Sequence, residues 1–395
     1  MSTENRSQNN IEGTQIIRKL CLSDNLATYD PYDIWKTSLG VWVKNLFNTS
    51  RLLGAAPALI LTLYDQLFNS RFRFGYKKQE YPIVRALAAQ ILLNEYQFSN
   101  SKELLDWSLN HLDWLKSNTS RRYSGACWGL GFKWAAFKNI IYDKNAPHAT
   151  HTPYALEAFH RYTQITGDSQ YVDLIRSCFQ FYEKDLYVLY EDEDILAISY
   201  GPIKDKIVIN VASYSLFAYT IFLHYIPEQR DYILSKINKF YRFLCVNQHK
   251  DGSWYYSQPE NESFIDCFHS CFILKNLLKA GKEVQLKDFD SVFDKGFKYI
   301  LDKFIDNEYG LYKRFSIKNK LSFTKFDLYD NAEVLNLLKM TGDTESSKKL
   351  EAAINSFFKD GEKIYSSIDY LGIKRNEGTL RWAVMPYLYS LSFVR

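Results

Sequence analysis

The 395-residue sequence predicts one all-α domain, an (α/α)6 toroid built from helical hairpins. Two kinds of segment with helical periodicity alternate along the chain, and successive segments of one kind begin 54 to 70 residues apart. Amphipathic segments begin at positions 101, 170, 230, 288 and 346, and more apolar segments begin at 81, 151, 210, 265, 327 and 381. Because a helix that is apolar on most sides is buried, the apolar segments predict an inner ring and the amphipathic segments an outer ring.

Two similar turns support this alternation. Gly167 and Gly342 each stand in a Thr-Gly-Asp sequence that follows an apolar segment and precedes an amphipathic one. Glycine suits the left-handed position that ends a helix, and the aspartate that follows is suited to capping the next helix. The two turns therefore predict tight connections from an inner helix to an outer helix.

The remaining segments complete the predicted domain. We assign residues 57–68 as the sixth outer helix, and we expect residues 195–200 and 207–209 to form a short hairpin. The toroid is predicted to span residues 51–395. Residues 1–50 fit the repeat least well and are predicted to be an N-terminal extension that is disordered in part.

Composition and charge argue against several classes of function, with a local basic patch as the alternative for nucleic-acid binding. The 49 basic and 45 acidic side chains are mixed along the chain, and the net charge of +4 gives no electrostatic case for binding nucleic acid. The first residues are polar and do not resemble a signal peptide, and the longest apolar run is too short for a transmembrane segment. The six cysteines lie in apolar helical contexts and predict reduced thiols in a cytoplasmic protein.

The predicted topology gives the ring one functional mouth, at the ends where the inner helices begin. Polar residues at one end of an otherwise apolar helix are costly to bury without a partner or a purpose. Just before the second inner helix, Trp128 and Trp134 predict flat platforms for a sugar, and His148 and His151 are candidate acids, bases or hydrogen-bonding groups. The alternative is a packed loop in which His151 caps the helix.

Two further inner helices begin with candidate substrate-binding residues. Asn210 and Tyr214 are four residues apart and share a helix face, although Asn210 is equally consistent with an N-cap. Before the fourth inner helix, a turn leads into Trp254, Tyr255 and Tyr256, which we expect to enter the mouth. Sixteen per cent of the chain is aromatic, so core packing is the alternative role for these rings.

Asp266 and His269 form the most specific pair. They lie at positions i and i+3 in the first turn of the predicted fourth inner helix, where the carboxylate can orient the imidazole ring. The alternative is a capping residue beside a histidine with a purely structural hydrogen bond. Cys267 and Cys271 flank His269, but a helix points His269 away from both thiols, so no metal site is expected.

The last two inner helices begin with charged residues. The candidate site residues are Arg314, Asp327, Tyr329 and Asp330 near the fifth inner helix, and Arg381 and Trp382 near the sixth. An arginine there is suited to holding a substrate carboxylate through two hydrogen bonds. Solvated helix caps are the alternative interpretation for both groups.

The sequence also resembles a bacterial exopolysaccharide-biosynthesis family often called VpsJ-like. The resemblance rests on the runs Cys127-Trp128-Gly129, His148 to Phe159, Asn210 to Tyr214 and, most specifically, residues 251–256 with 265–269. It covers roughly residues 80–395 and implies kinship with the C-terminal domain of glucuronyl C5-epimerase and with other toroidal sugar enzymes. Members usually carry Asn at the position of Cys267 and Thr-Gly at 270–271, and both departures lie beside His269.

Three hypotheses follow. The first is an epimerase or lyase that removes the C5 proton of a uronic acid, with His269, Asp266, Tyr256 and Tyr329 as the catalytic group and no metal or nicotinamide cofactor. The second is a glycoside hydrolase that uses Asp266 with Asp327 or Asp330. The third is a non-catalytic glycan-binding or scaffold protein. The expected partner is an oligosaccharide, a polysaccharide or a lipid-linked glycan, in association with a polysaccharide assembly complex.

Overall fold

A computed structural model describes residues 16–17, 19–69, 73–204, 206–318 and 322–393. Within these ranges the chain is mainly helical, as predicted. The α-helices are α1 (Ser38–Thr49), α2 (Arg51–Tyr64), α3 (Pro82–Ser99), α4 (Lys102–Ser117), α5 (Thr152–Thr166), α6 (Val172–Lys184), α7 (Ile209–Tyr225), α8 (Arg230–Val246), α9 (Cys267–Glu283), α10 (Phe289–Lys303), α11 (Leu328–Thr341), α12 (Thr344–Phe358) and α13 (Met385–Ser392).

Six of these helices form a closed inner ring. Helices α3, α5, α7, α9, α11 and α13 each pack against the next, and α13 packs back against α3. Their middle turns are buried on nearly every side; in α7, for example, every residue from Ile209 to Phe222 is buried. Closure of this ring confirms the predicted (α/α)6 toroid.

Helices α4, α6, α8, α10 and α12 form the outer ring, and each packs against the inner helix that precedes it. Their buried residues recur at helical spacing on one face, as Ile233, Ile237 and Phe240 do in α8. The predicted glycine turns are confirmed, since Gly167 and Gly342 end their helices with φ of 73° and 77°. Asp343 caps α12 as predicted, whereas Tyr171 and not Asp168 precedes α6.

The sixth outer position is filled by the N-terminal segment and not by residues 57–68. Ile17 and Cys21 lie in a short helical stretch and are buried in the main core. The backbone oxygen of Cys21 lies 2.7 Å from Nε2 of His111 in α4, which fixes the segment against the ring. Helix α2, which overlaps 57–68, packs instead on α1, so that prediction is wrong.

The connections from outer to inner helices are long and contain the strands, whereas the return turns are short. The strands are β1 (Trp134–Phe137), β2 (Ile140–Tyr142), β3 (Val188–Glu191), β4 (Leu196–Ile198), β5 (Ile265–Asp266), β6 (Ile305–Asp306), β7 (Leu311–Tyr312), β8 (Phe315–Ile317), β9 (Thr324–Asp327), β10 (Lys359–Asp360), β11 (Lys363–Asp369) and β12 (Lys374–Glu377). All pairings are antiparallel: β1 with β2, β3 with β4, β5 with β8, β6 with β7, and β11 with β9, β10 and β12.

One strand prediction is wrong. Residues 195–200 do contribute a strand, β4, but it pairs with β3 upstream and not with residues 207–209. Ile209 instead begins α7, and its backbone N–H donates to the carbonyl oxygen of Tyr256 at 2.9 Å. Over the ranges that the structure describes, none of the helices combines the length and the apolar character needed to cross a bilayer.

Candidate active site

The candidate site lies where the long connections meet the first turns of the inner helices. The sequence places polar and aromatic residues at these helix starts, and the ring brings the starts together at one end. Asp266, Asp327 and Asp330 are almost completely buried there, although carboxylates are usually exposed. Such burial requires compensating hydrogen bonds or protonation, so the partners of each carboxyl group define the chemistry of the site.

Asp266 and His269 meet as predicted. Asp266 is the extended residue that precedes α9, and Nδ1 of His269 lies 2.8 Å from both carboxylate oxygens. A carboxylate can only accept here, so Nδ1 carries the proton and Nε2 carries the lone pair. The side chain of His269 is 20% exposed, whereas that of Asp266 is 2% exposed. The histidine therefore presents a basic nitrogen at an accessible edge, held by a buried carboxylate.

Aromatic rings surround this histidine. The ring centroids of Phe268 and Tyr256 lie 4.0 and 4.6 Å from that of His269, and Phe272 lies 5.8 Å away. Tyr256 reaches this position because its backbone N–H donates to the carbonyl oxygen of Phe264 at 2.9 Å. The wall of rings limits the rotation of His269 and leaves one side of the imidazole accessible.

Asp327 is held by a set of donors. Nη1 of Arg314 lies 3.2 Å from its Oδ2, Nε1 of Trp382 lies 3.0 Å from the same oxygen, and the backbone N–H of Tyr329 donates to Oδ1 at 2.9 Å. Arg314 also donates to the hydroxyl of Tyr32 at 2.8 Å. Burial raises the pKa of Asp327 above its ordinary value, and the three donors oppose that shift by stabilising the ionised form.

Asp330 contrasts with its neighbour. Its Oδ1 accepts from the backbone N–H of Phe268 at 3.0 Å, and within the described part of the chain Oδ2 has no hydrogen-bond partner. Burial, with the nearby negative charges of Asp327 and Asp266, raises the pKa of Asp330 well above its ordinary value. Since Asp327 takes most of the donors, Asp330 is the carboxyl group that carries a proton.

Phenol side chains connect the site to the ring interior. Tyr329 stacks on Trp382 with centroids 4.7 Å apart, and the hydroxyls of Tyr154 and Tyr214 lie 2.9 Å apart. Tyr154 also interacts with Tyr329 and contributes to the raised pKa of that phenol. Burial raises the pKa of all three phenols well above the ordinary value, so they remain protonated donors. Deeper along the axis of the inner ring, Lys279 and Glu157 form an ion pair of 2.7 Å.

Arg381 faces the N-terminal segment. Its Nε lies 2.6 Å from Oδ2 of Asp30, and the same oxygen lies 2.5 Å from Nζ of Lys36. Lys36 also donates to the hydroxyl of Tyr81 at 2.8 Å. Sequence reasoning missed Asp30, Tyr32 and Lys36; the only local signal was the compact run of polar and aromatic residues at 29–33.

A second aromatic group contains the other two histidines predicted for the site, His148 and His151. Trp134 stacks on Tyr142 at 5.5 Å, and His148 lies 5.2 Å from His151 and 4.8 Å from Tyr200. Burial, followed by the positive charge of Arg381, lowers the pKa of His151 to about 3, and burial lowers the pKa of His148 well below its ordinary value. Both imidazoles are therefore neutral at physiological pH. The structure brings Trp134, His148 and His151 together, as the sequence predicts.

Four other predicted site residues occupy different positions. Trp128 and Trp254 are core residues whose indole N–H groups donate to the carbonyl oxygens of Leu115 and Leu244 at 3.0 and 2.9 Å, so they offer no platform to a sugar. Tyr255 packs beside His249, on the side of the turn away from Tyr256. Asn210 is buried inside the first turn of α7 and is not its N-cap; Val208 holds that position.

The fold and the site define a class of protein, the (α/α)6 toroids with a polar mouth at the inner-helix starts. No family model and no curated protein sequence matches the chain. Among solved structures, the chain is similar to a sugar epimerase from a ruminal bacterium, with 16% identity over 80% of this chain and 86% of that one and a TM-score of 0.62. Cellobiose 2-epimerase from Bacillus thermoamylovorans matches at 12% identity, over 80% and 87%, with a TM-score of 0.60.

A third similar structure comes from a different class of enzyme. A polysaccharide lyase matches at 10% identity over 80% of this chain and 90% of that one, with a TM-score of 0.54. At these identities the likeness establishes the toroid fold, which hosts many chemistries. The resemblance to the VpsJ-like family remains a prediction.

Proposed function

We propose that the protein is a carbohydrate-active enzyme, an epimerase or lyase that removes a proton from C5 of a uronic acid. The observation that carries the proposal is the Asp266–His269 pair at the accessible edge of the mouth. Asp266 fixes the proton on Nδ1, which leaves Nε2 as the base. Within the described ranges no hydrogen bond occupies Nε2, so it is available to a substrate C–H group.

Proton abstraction beside a carboxylate also requires groups that stabilise the developing negative charge. The surroundings of Arg314 support this role, since it lies near α9 and α11 and its Nε donor is buried without a partner among the described residues. Arg381 is already paired with Asp30, so its first role is to stabilise the structure of the mouth. An arginine with one unused donor supports recognition of an acidic sugar.

An epimerase must also return a proton to the opposite face of the sugar. Tyr256 contacts His269, and Tyr329 packs against Phe268 and Phe272, which both contact His269. The raised pKa of Tyr329 keeps its phenol protonated. The contacts among Tyr329, Tyr154 and Tyr214 offer a route along which that proton is replaced. A lyase uses the same base and expels the C4 substituent instead.

We also propose the pathway and the cell compartment in which the enzyme acts. The VpsJ-like resemblance supports a role in surface-polysaccharide biosynthesis in the cytoplasm, acting on an oligosaccharide, a polysaccharide or a lipid-linked glycan. The shared fold with sugar epimerases and a polysaccharide lyase supports a carbohydrate substrate. The hydrolase alternative has less support, because Asp327 and Asp330 are buried and Asp266 is engaged by His269.

The test is incorporation of solvent deuterium at C5, followed by NMR on heparosan-like, alginate-like and galacturonan-like glycans. We expect exchange with the wild type and its loss in His269→Ala. His249→Ala is the matched control, since His249 pairs with Glu260 at an exposed site. Absence of exchange on every uronic-acid glycan would contradict the proposal, as would full activity of His269→Ala.

A further inference from the structure

Helices α1 and α2 form a hairpin that stands apart from the toroid core. They pack on each other around a small separate core of Ile34, Val43 and Leu61. Thr37 and Ser50 cap the two helices by accepting from the backbone N–H groups of Gly40 and Leu53 at 3.0 and 3.4 Å. The hairpin is therefore a built element whose outer face is not covered by the ring.

That outer face is apolar. Leu52 is 89% exposed, Leu53 66%, Ile60 65% and Trp42 59%. Leu39, Leu59, Leu63, Leu67 and Phe68 are exposed as well. Leu52, Leu59 and Leu63 recur at helical spacing, so they form a stripe along α2. Isolated exposed leucines are ordinary, but a continuous apolar stripe of this length marks an interaction surface.

The charged residues of the hairpin are all basic. Between Asp33 and Asp65 the sequence contains no acidic residue, and its charged residues are Lys36, Lys44 and Arg51. Lys36 is buried with Asp30, whereas Arg51 is exposed at the start of α2. An apolar face with a tryptophan, one exposed flanking arginine and no acidic residue between positions 34 and 64 matches the surface of an anionic bilayer, where an exposed cation adds attraction.

The composition favours lipid over another protein. On the outer face of α2, the exposed side chains from Leu52 to Leu63 contain no hydrogen-bonding group. Protein interfaces average about one hydrogen bond per 100–200 Å² and are rimmed by polar residues. Residues 1–15 include only Met1 and Ile11 as apolar side chains, so they cannot supply a matching apolar cover.

We propose that the α1–α2 hairpin docks the protein on an anionic phospholipid surface, with the leucine stripe and Trp42 in the interfacial layer. Helix α1 packs against β1, which carries Trp134. Docking through the hairpin therefore brings the rim of the mouth close to the bilayer. The inference concerns binding alone and does not depend on the proposed reaction.

The test is flotation with vesicles of phosphatidylcholine, with and without phosphatidylglycerol. We expect the wild type to float with the anionic vesicles, and Leu52→Glu/Ile60→Glu to bind at least about tenfold more weakly, because two apolar side chains become charged. Phe98→Glu is the matched control, since Phe98 is 61% exposed near the C-terminal end of α3, away from the mouth and from the hairpin. Wild-type and control proteins should bind alike.

A second measurement locates the contact. Brominated lipids quench nearby tryptophan fluorescence, and the quenched fraction should fall in Trp42→Phe. Failure of the wild type to float, or equal flotation of the double variant, would overturn the proposal. It would also be overturned if sedimentation showed a dimer that the double variant abolishes while vesicles bound neither protein, since the occupant would then be a second copy of this chain.

Discussion

Arg381 donates from Nε to Oδ2 of Asp30 at 2.6 Å, joining residues 351 positions apart. Lys36 donates to the same oxygen at 2.5 Å. The N-terminal segment thereby supplies the counter-charge to an arginine at the start of the last inner helix. These groups are buried, so removing one of them leaves an uncompensated charge in a medium of low dielectric constant.

Asp30→Asn should lower the free energy of unfolding by about 3–5 kcal/mol, because the variant leaves Lys36 and Arg381 buried without their anion. Urea unfolding followed by circular dichroism measures the change. Glu362→Gln is the control, since its pair with Lys19 is exposed, and we expect a change within about 0.5 kcal/mol. Equal effects of the two variants would contradict a structural role for Asp30.

The Arg381–Asp30 pair is an example of a contact that could not be predicted from the sequence. Helical periodicity reports local contacts, and it predicted the inner helices to within a few residues of α3, α5, α7, α9 and α11. Asp30 and Tyr32 lie in an irregular segment and turn without periodicity, and their partners Arg381 and Arg314 are distant in sequence. Only the three-dimensional packing reveals that residues 30–36 complete the mouth.

The tryptophans show a second limit. Trp128, Trp134 and Trp254 all stand in connections that lead into inner helices. Trp134 joins the aromatic group at the mouth, whereas Trp128 and Trp254 turn inward because carbonyl oxygens of Leu115 and Leu244 accept from their indole N–H groups. A backbone acceptor on an outer helix determines whether the indole turns inward, and the local sequence contains no signal for that acceptor. By contrast, Asp266 and His269 were predictable because they share one helical turn.

Asp266→Asn tests how the base is oriented. The amide group of Asn can donate to Nδ1 of His269, which moves the ring proton to Nε2 and removes the lone pair from the substrate side. We expect C5 exchange to fall by about 10²- to 10⁴-fold while glycan binding is retained. Rates of deuterium incorporation and a direct binding measurement separate the two effects. Unchanged exchange would show that Asp266 does not orient the base.

Asp330→Asn tests the protonated carboxyl group. Because the pKa of Asp330 is raised in the folded protein, the wild type binds this proton more tightly when folded and loses stability as the pH rises above the unfolded value of about 4. The amide retains the acceptor for Phe268 and cannot ionise. We therefore expect the variant to gain stability relative to the wild type between pH 4 and 7, by on the order of 2 kcal/mol, in urea unfolding. A difference that does not vary with pH would contradict the assignment.

His148→Phe tests the buried neutral imidazole. Burial holds the pKa of His148 well below that of the unfolded chain, so the folded protein binds fewer protons and loses stability as the pH falls through about 6.5. This one group accounts for a loss of about 2 kcal/mol between pH 7 and 5, and phenylalanine removes it. The measured quantity is the difference between the unfolding free energies at the two pH values, in which any packing cost of the larger ring cancels.

The control for this prediction is His224→Gln, since His224 is partly exposed and pairs with Glu283 at 2.9 Å. His151, whose pKa is also lowered by burial, remains in both proteins, so the acid sensitivity should decrease in His148→Phe without disappearing. If His148→Phe and the wild type lost the same stability between pH 7 and 5, His148 would be protonated in the folded state, and its ring would be available for proton transfer at the mouth.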